Sequence, residues 1–220
     1  MRKLTTNTFV SLDGVMQAPG GPPEDPSGGF SYGGWSVTYW DDMMGQIMGD
    51  SFARPFDMLL GRKTYEIFAA YWPYAGDQPG AAELNRARKY VASRTLKTVE
   101  WANSTLIKGD VVREVRALKQ ADGPEIQIHG SGNLIQSLLK AGAIDEFRLW
   151  IFPVLLGRGK RLFGDGTIGA GLQLRDSKTS TTGVTVATYE PKGPVPIGTF
   201  ETDKPSEAEL ARRKRWAQEG

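Results

Sequence analysis

Apolar and polar positions alternate from the start of the chain. Leu4 to Ser11, rich in Thr, Phe and Val, reads as a first strand that ends at the turn pair Asp13-Gly14. Residues 19 to 34 then hold four prolines (Pro19, Pro22, Pro23, Pro26) and six glycines (Gly20, Gly21, Gly28, Gly29, Gly33, Gly34). Neither a helix nor a central strand survives that composition, so the stretch is a long loop. It follows the strand that leads to Asp13, so it is expected to cover one side of a crevice and to order when ligand binds. A helix is predicted from Ser36, as N-cap, to about Ala53, with Tyr39, Met43, Ile47 and Met48 on one face.

Short strands and helices alternate from there on. Phe56 to Leu60 is a strand, Gly61-Arg62-Lys63-Thr64 a turn, and Tyr65 to Ala70 a helix; Tyr90 to Ala92 and Thr105 to Lys108 are strands. A helix follows from the cap Asp110 to Gln120, then a strand from Glu125 to His129, the turn Gly130-Ser131-Gly132, and a helix from Asn133 to Lys140. Such alternation implies βαβ units on a largely parallel sheet. After the apolar strand Asp145 to Pro153 the character changes. Leu172 to Ser177 and Val184 to Tyr189 read as a strand pair around Thr181-Thr182-Gly183, adding antiparallel strands at one edge. The tail from Pro205 to Gln218 is helical and carries Arg212-Arg213-Lys214-Arg215. With no internal repeat, the expected organisation is one domain over residues 1–192 and a tail over 193–220.

The bulk numbers narrow the function. The chain has 220 residues, 40% hydrophobic and 24% charged, as in an ordinary globular protein. A net charge of +2 gives no electrostatic case for nucleic acid or a membrane surface. Zero cysteines remove disulfides, a Cys nucleophile and Cys/His zinc sites, and the single histidine, His129, is the only base open to a Ser-His-Asp triad. The amino terminus lacks the apolar run of a signal peptide and no stretch approaches a membrane span, so a cytoplasmic protein is expected.

Two glycine turns join a strand end to a helix start, at Gly61 and at Gly130-Ser131-Gly132. Such turns let a phosphate approach backbone N–H groups at a helix N-terminus, although tight strand–helix packing explains each one equally simply. Neither of two further patterns holds: Ile135 stands where a dinucleotide fingerprint needs its third glycine, and Arg161 follows Gly157-Arg158-Gly159-Lys160 where a P-loop needs Ser or Thr. Arg62, Lys63 and Arg94 lie just past strand ends, where ligands of open α/β sheets bind, and a guanidinium fork suits a 2′-phosphate. Asp13, Asp41 and Asp42 are the candidate proton donors. A packed histidine is the simpler reading of His129, and a solvated face that of the basic tail.

Several segments together resemble one family. Val10-Ser11-Leu12-Asp13-Gly14, Leu60-Gly61-Arg62-Lys63-Thr64-Tyr65, Val91-Ala92-Ser93-Arg94-Thr95-Leu96, and the stretch from Ile126 through His129-Gly130-Ser131-Gly132-Asn133-Leu134 to Gly157-Arg158-Gly159 resemble the reductase domain of bifunctional riboflavin-biosynthesis proteins. They are also similar to dihydrofolate reductase in the glycine-arginine turn. The resemblance implies an α/β, dihydrofolate reductase-like three-layer fold: a mixed, mostly parallel central sheet with antiparallel C-terminal strands and helices on both faces. It also implies NADPH as cofactor and a homodimer. By position, Gly61, Arg62 and Thr64 would hold the adenosine side, Ser93 and Arg94 the 2′-phosphate, and Gly130, Ser131, Gly132, Asn133 and Leu134 the pyrophosphate; Lys63, just past the same strand end, is a further cofactor-binding candidate. Asp13 would lie by nicotinamide and substrate, with Asp41 or Asp42 as further acids. No metal is expected. The implied activity is hydride transfer to a small heterocyclic or ribosylamino-pyrimidine substrate, as in 5-amino-6-(5-phosphoribosylamino)uracil reduction. The alternatives are a dihydrofolate reductase proper and a non-catalytic ligand-binding protein of the same fold. A nucleic-acid-binding role ranks last.

Overall fold

The computed structural model describes residues 1–200 and 204–219. Eight strands form one sheet: β1 (Leu4–Ser11), β2 (Phe56–Gly61), β3 (Lys89–Ala92), β4 (Ser104–Ile107), β5 (Glu125–His129), β6 (Glu146–Phe152), β7 (Leu172–Thr179) and β8 (Thr185–Pro191). Their spatial order is β4-β3-β2-β5-β1-β6-β8-β7. β1 to β6 all run parallel, β8 is antiparallel to β6, and β7 is antiparallel to β8. Among the described residues there are six α-helices: α1 (Asp42–Phe52), α2 (Arg62–Tyr71), α3 (Ala81–Arg86), α4 (Val111–Gln120), α5 (Gly132–Lys140) and α6 (Glu207–Glu219). This is the mixed, mostly parallel α/β architecture expected, with helices on both faces.

The two faces bury different partners because strand side chains alternate. On one face Leu4, Val10, Leu59, Ile126 and Ile128 pack against Leu134, Ile135 and Leu138 of α5 and Val115 of α4. On the other, Met44 of α1 packs with Trp150, Phe152 and Val186, while Tyr65 of α2 packs with Met58, Leu60, Val91 and Trp101. The central strand β1 is covered on both faces even though Thr5, Thr6, Asn7 and Thr8 are polar; all four are buried.

One reading needs correction, and one short element had no sequence signal. Ser36 does not start a helix: Val37–Tyr39 is a single 3₁₀ turn, Trp40 is extended, and Asp41 caps α1 by accepting from the Met44 N–H at 3.0 Å. The short helix α3 begins after Gly80, whose φ of +87° only glycine adopts easily, and six residues carry too little periodicity to show in sequence. Polar contacts tie the loop over residues 19–34 to the segment that follows the first strand. Buried Gln17 donates to the carbonyls of Asp25 and Ser27 (both 2.9 Å), and the Trp35 indole donates to Gln17 O at 2.7 Å.

Candidate functional site

β5 lies between β2 and β1, yet its helix leaves the sheet on the opposite face. α1 and α2, which follow β1 and β2, pack on one side; α5 packs on the other. Neighbouring strands whose connections diverge open a crevice at their carboxyl ends. Both glycine turns stand there, and their side chains bolt them together. Ser131 Oγ accepts from Gly61 N–H at 2.9 Å, and Thr64 Oγ1 accepts from Ser131 N–H at 3.1 Å and lies 3.0 Å from Ser131 Oγ. Gly130 has φ +58°, and a Cβ on it would meet Thr64 Oγ1 at 3.1 Å; one on Gly132 would meet Met16 Sδ at 3.0 Å. Ser131 itself is left-handed at φ +60°.

Helix capping varies across the fold, and the short α3 also lacks a side-chain cap. Asp41 caps α1 and Asp110 caps α4, but α2 and α5, which meet at the crevice, have no side-chain cap. Their first-turn N–H groups keep the positive end of the helix dipole directed outward, a donor set that fits phosphate oxygens. Asn133 is exposed on the first turn of α5, and Leu134 is buried in the core beneath it.

The basic residues divide. Arg62 is held by Glu66 one turn on, at 2.9 and 3.0 Å. Lys63 is exposed on the rim, and the neighbouring Lys160 lowers its pKa below the ordinary value. Lys160 in turn pairs with Asp25 and reaches Ser27 Oγ at 2.7 Å. Past β3, the buried Ser93 hydroxyl accepts from the Thr95 and Leu96 N–H groups at 3.2 and 3.0 Å, shaping the turn that presents Arg94. Arg94 is exposed and has no hydrogen-bond or ion-pair partner among the described residues.

The carboxylates have structural duties. Asp13 accepts from Ser11 Oγ at 2.5 Å, from Gly157 N–H at 2.8 Å and from Leu156 N–H at 3.1 Å, with Arg161 at 3.5 Å. The Ser11 hydroxyl and these amides hold its pKa down to about 2, so Asp13 is an ionised brace between the end of β1 and the loop after β6. Asp41 accepts from Met44 with one oxygen and from Thr181 N–H and Oγ1 (2.9 and 2.8 Å) with the other. Asp42 is exposed on the first turn of α1. His129 is buried, 3.1 Å from Gln127 Oε1, and burial followed by the Arg148 charge lowers its pKa to about 4. It is a neutral packed side chain.

Gln17 and Lys160, which join the loop to the crevice rim, were not singled out; their contacts span many residues and leave no local pattern. With Ser27, Gly28, Phe30, Arg158 and Gly159 they line a cavity of about 250 Å³. A larger depression of about 630 Å³ lies behind α2, between Tyr65, Tyr74 and Trp101, away from both glycine turns.

Comparison with known proteins agrees with this geometry. The uncharacterized protein YyaP of Bacillus subtilis (strain 168) is 30% identical over 200 residues, covering 87% of this chain and 96% of its own. A putative riboflavin biosynthesis protein from Shewanella sp. PV-4 superposes with a TM-score of 0.61 at 24% identity, covering 87% of this chain and 99% of its own. Enterococcus faecalis dihydrofolate reductase, in complex with NADP(H) and RAB-propyl, gives a TM-score of 0.53 at 14% identity, with 86% and 96% covered, and shows the shared dihydrofolate reductase-like fold. Residues 2–188 match the family described as the RibD C-terminal domain, and the chain is a member of that family.

Proposed function

We propose that the chain is an NADPH-dependent reductase acting on a small heterocyclic or ribosylamino-pyrimidine-type substrate. The observation that carries this reading is the pair of uncapped helix N-termini bolted together by Thr64 and Ser131 at the switch point. The unpaired Arg94 beyond β3 adds a guanidinium suited to a 2′-phosphate. Dihydrofolate reductase of Enterococcus faecalis, of like fold, takes NADP(H). The bound cofactor supplies the hydride. Gly61, Arg62, Lys63 and Thr64 with Gly130, Ser131, Gly132, Asn133 and Leu134 form the cradle, and Ser93 positions Arg94. Asp13 and Asp41 brace the walls of the substrate side, and because both are committed carboxylates, the proton comes from Asp42 or from water. The reductase unit is residues 1–192, with 193–220 appended. It works in the cytoplasm as a homodimer, its exposed Phe163, Leu172 and Leu174 offering the apolar contact.

The test is titration with NADPH and NADH, followed by loss of reduced-nicotinamide absorbance across pterins, ribitylamino- and ribosylamino-pyrimidines and quinones. A clear NADPH preference with turnover of one class supports the reading. Tight NADPH binding without oxidation on any of them leaves a ligand-binding protein, and equal affinity for both cofactors removes the 2′-phosphate assignment.

A further inference from the structure

Asn7 lies at the middle of β1, paired with His129 on one side and Arg148 on the other. That pair is the last between β1 and β5, so above Asn7 the strand borders the crevice. Two residues on, on the same face, Phe9 meets Trp150 at 5.3 Å and Trp40 at 6.0 Å, and Trp40 stacks on Trp150 at 5.8 Å with the planes 7° apart. Trp150 is wholly buried, whereas Trp40 is 42% exposed, so this aromatic wall reaches the surface.

The orientation of the Asn7 amide follows from chemistry. Trp150 Nε1 lies 2.7 Å from Asn7 Oδ1, and an indole nitrogen only donates. The oxygen must therefore face the indole, and the NH₂ prong points away from it. Asn7 is 4% exposed, and its Nδ2 has no acceptor among the described residues. A buried donor left unpaired is costly, which makes it a selective feature toward whatever satisfies it. No buried carboxylate joins Phe9 and Trp40: Asp13 and Asp41 are engaged elsewhere and Asp42 faces solvent. Among the described residues, Asn7 Nδ2 is the unpartnered amide donor at this wall, beside Arg148, whose guanidinium is paired with Glu146.

We infer that Asn7 is a specificity-determining residue: its Nδ2 donates to a ring carbonyl of a planar oxo-heterocycle stacked against Phe9 and Trp40. Trp150 is the positioning residue that keeps the amide from turning over. The inference deepens the reductase reading and rests on the crevice being the substrate side, but it concerns ring binding and is measured without turnover.

The experiment is calorimetric titration of the full chain with 5,6-diaminouracil and with the two analogues in which one ring carbonyl becomes an amino group, 4,5,6-triaminopyrimidin-2-one and 2,5,6-triaminopyrimidin-4-one. NADPH affinity is measured separately. In the wild type, at least one analogue should bind about tenfold or more weakly than the dioxo ring, as expected where a site's buried donor meets another donor. Asn7→Asp keeps an acceptor for Trp150 but replaces the donor, so the preference should reverse toward that amino analogue. Trp150→Phe frees the amide to rotate, and the discrimination should fall to within about threefold. Equal binding of the three rings by the wild type, binding of none, or variants that shift all three by one common factor would each overturn the inference. Loss of NADPH binding alone would strike the cofactor reading and leave this one standing.

Discussion

Acid should destabilise this protein through one side chain. His129 is enclosed by Phe52, Phe56 and Phe68, with ring centroids 6.2 to 6.5 Å away, and its one polar contact is Gln127 Oε1. Burial, then the charge of Arg148, lowers its pKa from 6.5 to about 4. A base whose folded pKa is depressed binds its proton more readily in the unfolded chain, so stability is full above about pH 6.5 and falls as pH drops toward 4. Between pH 7.5 and 4.5 the difference is on the order of 2–3 kcal/mol, a large share of the roughly 5–15 kcal/mol typical of a domain. Urea unfolding of the wild type and of His129→Gln at both pH values isolates the effect, since glutamine keeps a partner for Gln127 and does not titrate. The wild type should lose roughly 2–3 kcal/mol more than the variant over that interval. Parallel losses in the two proteins would refute the assignment and move the acid sensitivity to the carboxylates.

Other expectations follow from single contacts. Arg94→Ala should weaken NADPH binding by about tenfold to a hundredfold while NADH affinity holds, whereas Arg62→Ala, whose guanidinium is already paired with Glu66, should do less; equal losses for both cofactors would count against a 2′-phosphate contact. Gly130→Ala should cost about 1–2 kcal/mol for its left-handed backbone and press on Thr64 Oγ1, lowering thermal stability and NADPH affinity together; an unchanged melting temperature would mean the turn relaxes freely. Gln17→Ala should open residues 19–34 to limited proteolysis that the wild type resists, and rapid cleavage of the wild type there would show the anchoring to be weak. Sedimentation at micromolar concentration should give a dimer; a species near 24.1 kDa would rule it out.

Sequence reading went furthest where the signal is local. β1 and β5 have the limits that their alternation suggests, and Asp110 caps α4 as its place before an apolar-periodic run implies, accepting from Val112 and Arg113. The glycine turns were visible for the same reason. What stayed hidden is set by partners far along the chain. Asp41 reads as an acid on a helix until Thr181, 140 residues away, takes its second oxygen. Asp13 has Ser11 beside it in sequence, but the amides that complete its brace lie 143 and 144 residues away. Asn7 looks like one polar residue among threonines, and only the indole of Trp150 makes its amide directional.

The strand order carries a consequence for how binding would be felt. The crevice is walled by β2, β5 and β1, interior members of an eight-stranded sheet, and the β1–β5 pairing joins segments more than 120 residues apart. Fraying at β4 or β7 leaves these walls intact, and no partial opening can dismantle them without breaking the middle of the sheet. A molecule bound there should therefore slow the exchange of the most protected backbone amides, those that exchange only through global unfolding, by the full factor 1 + [L]/Kd. Occupancy would be read by the whole domain.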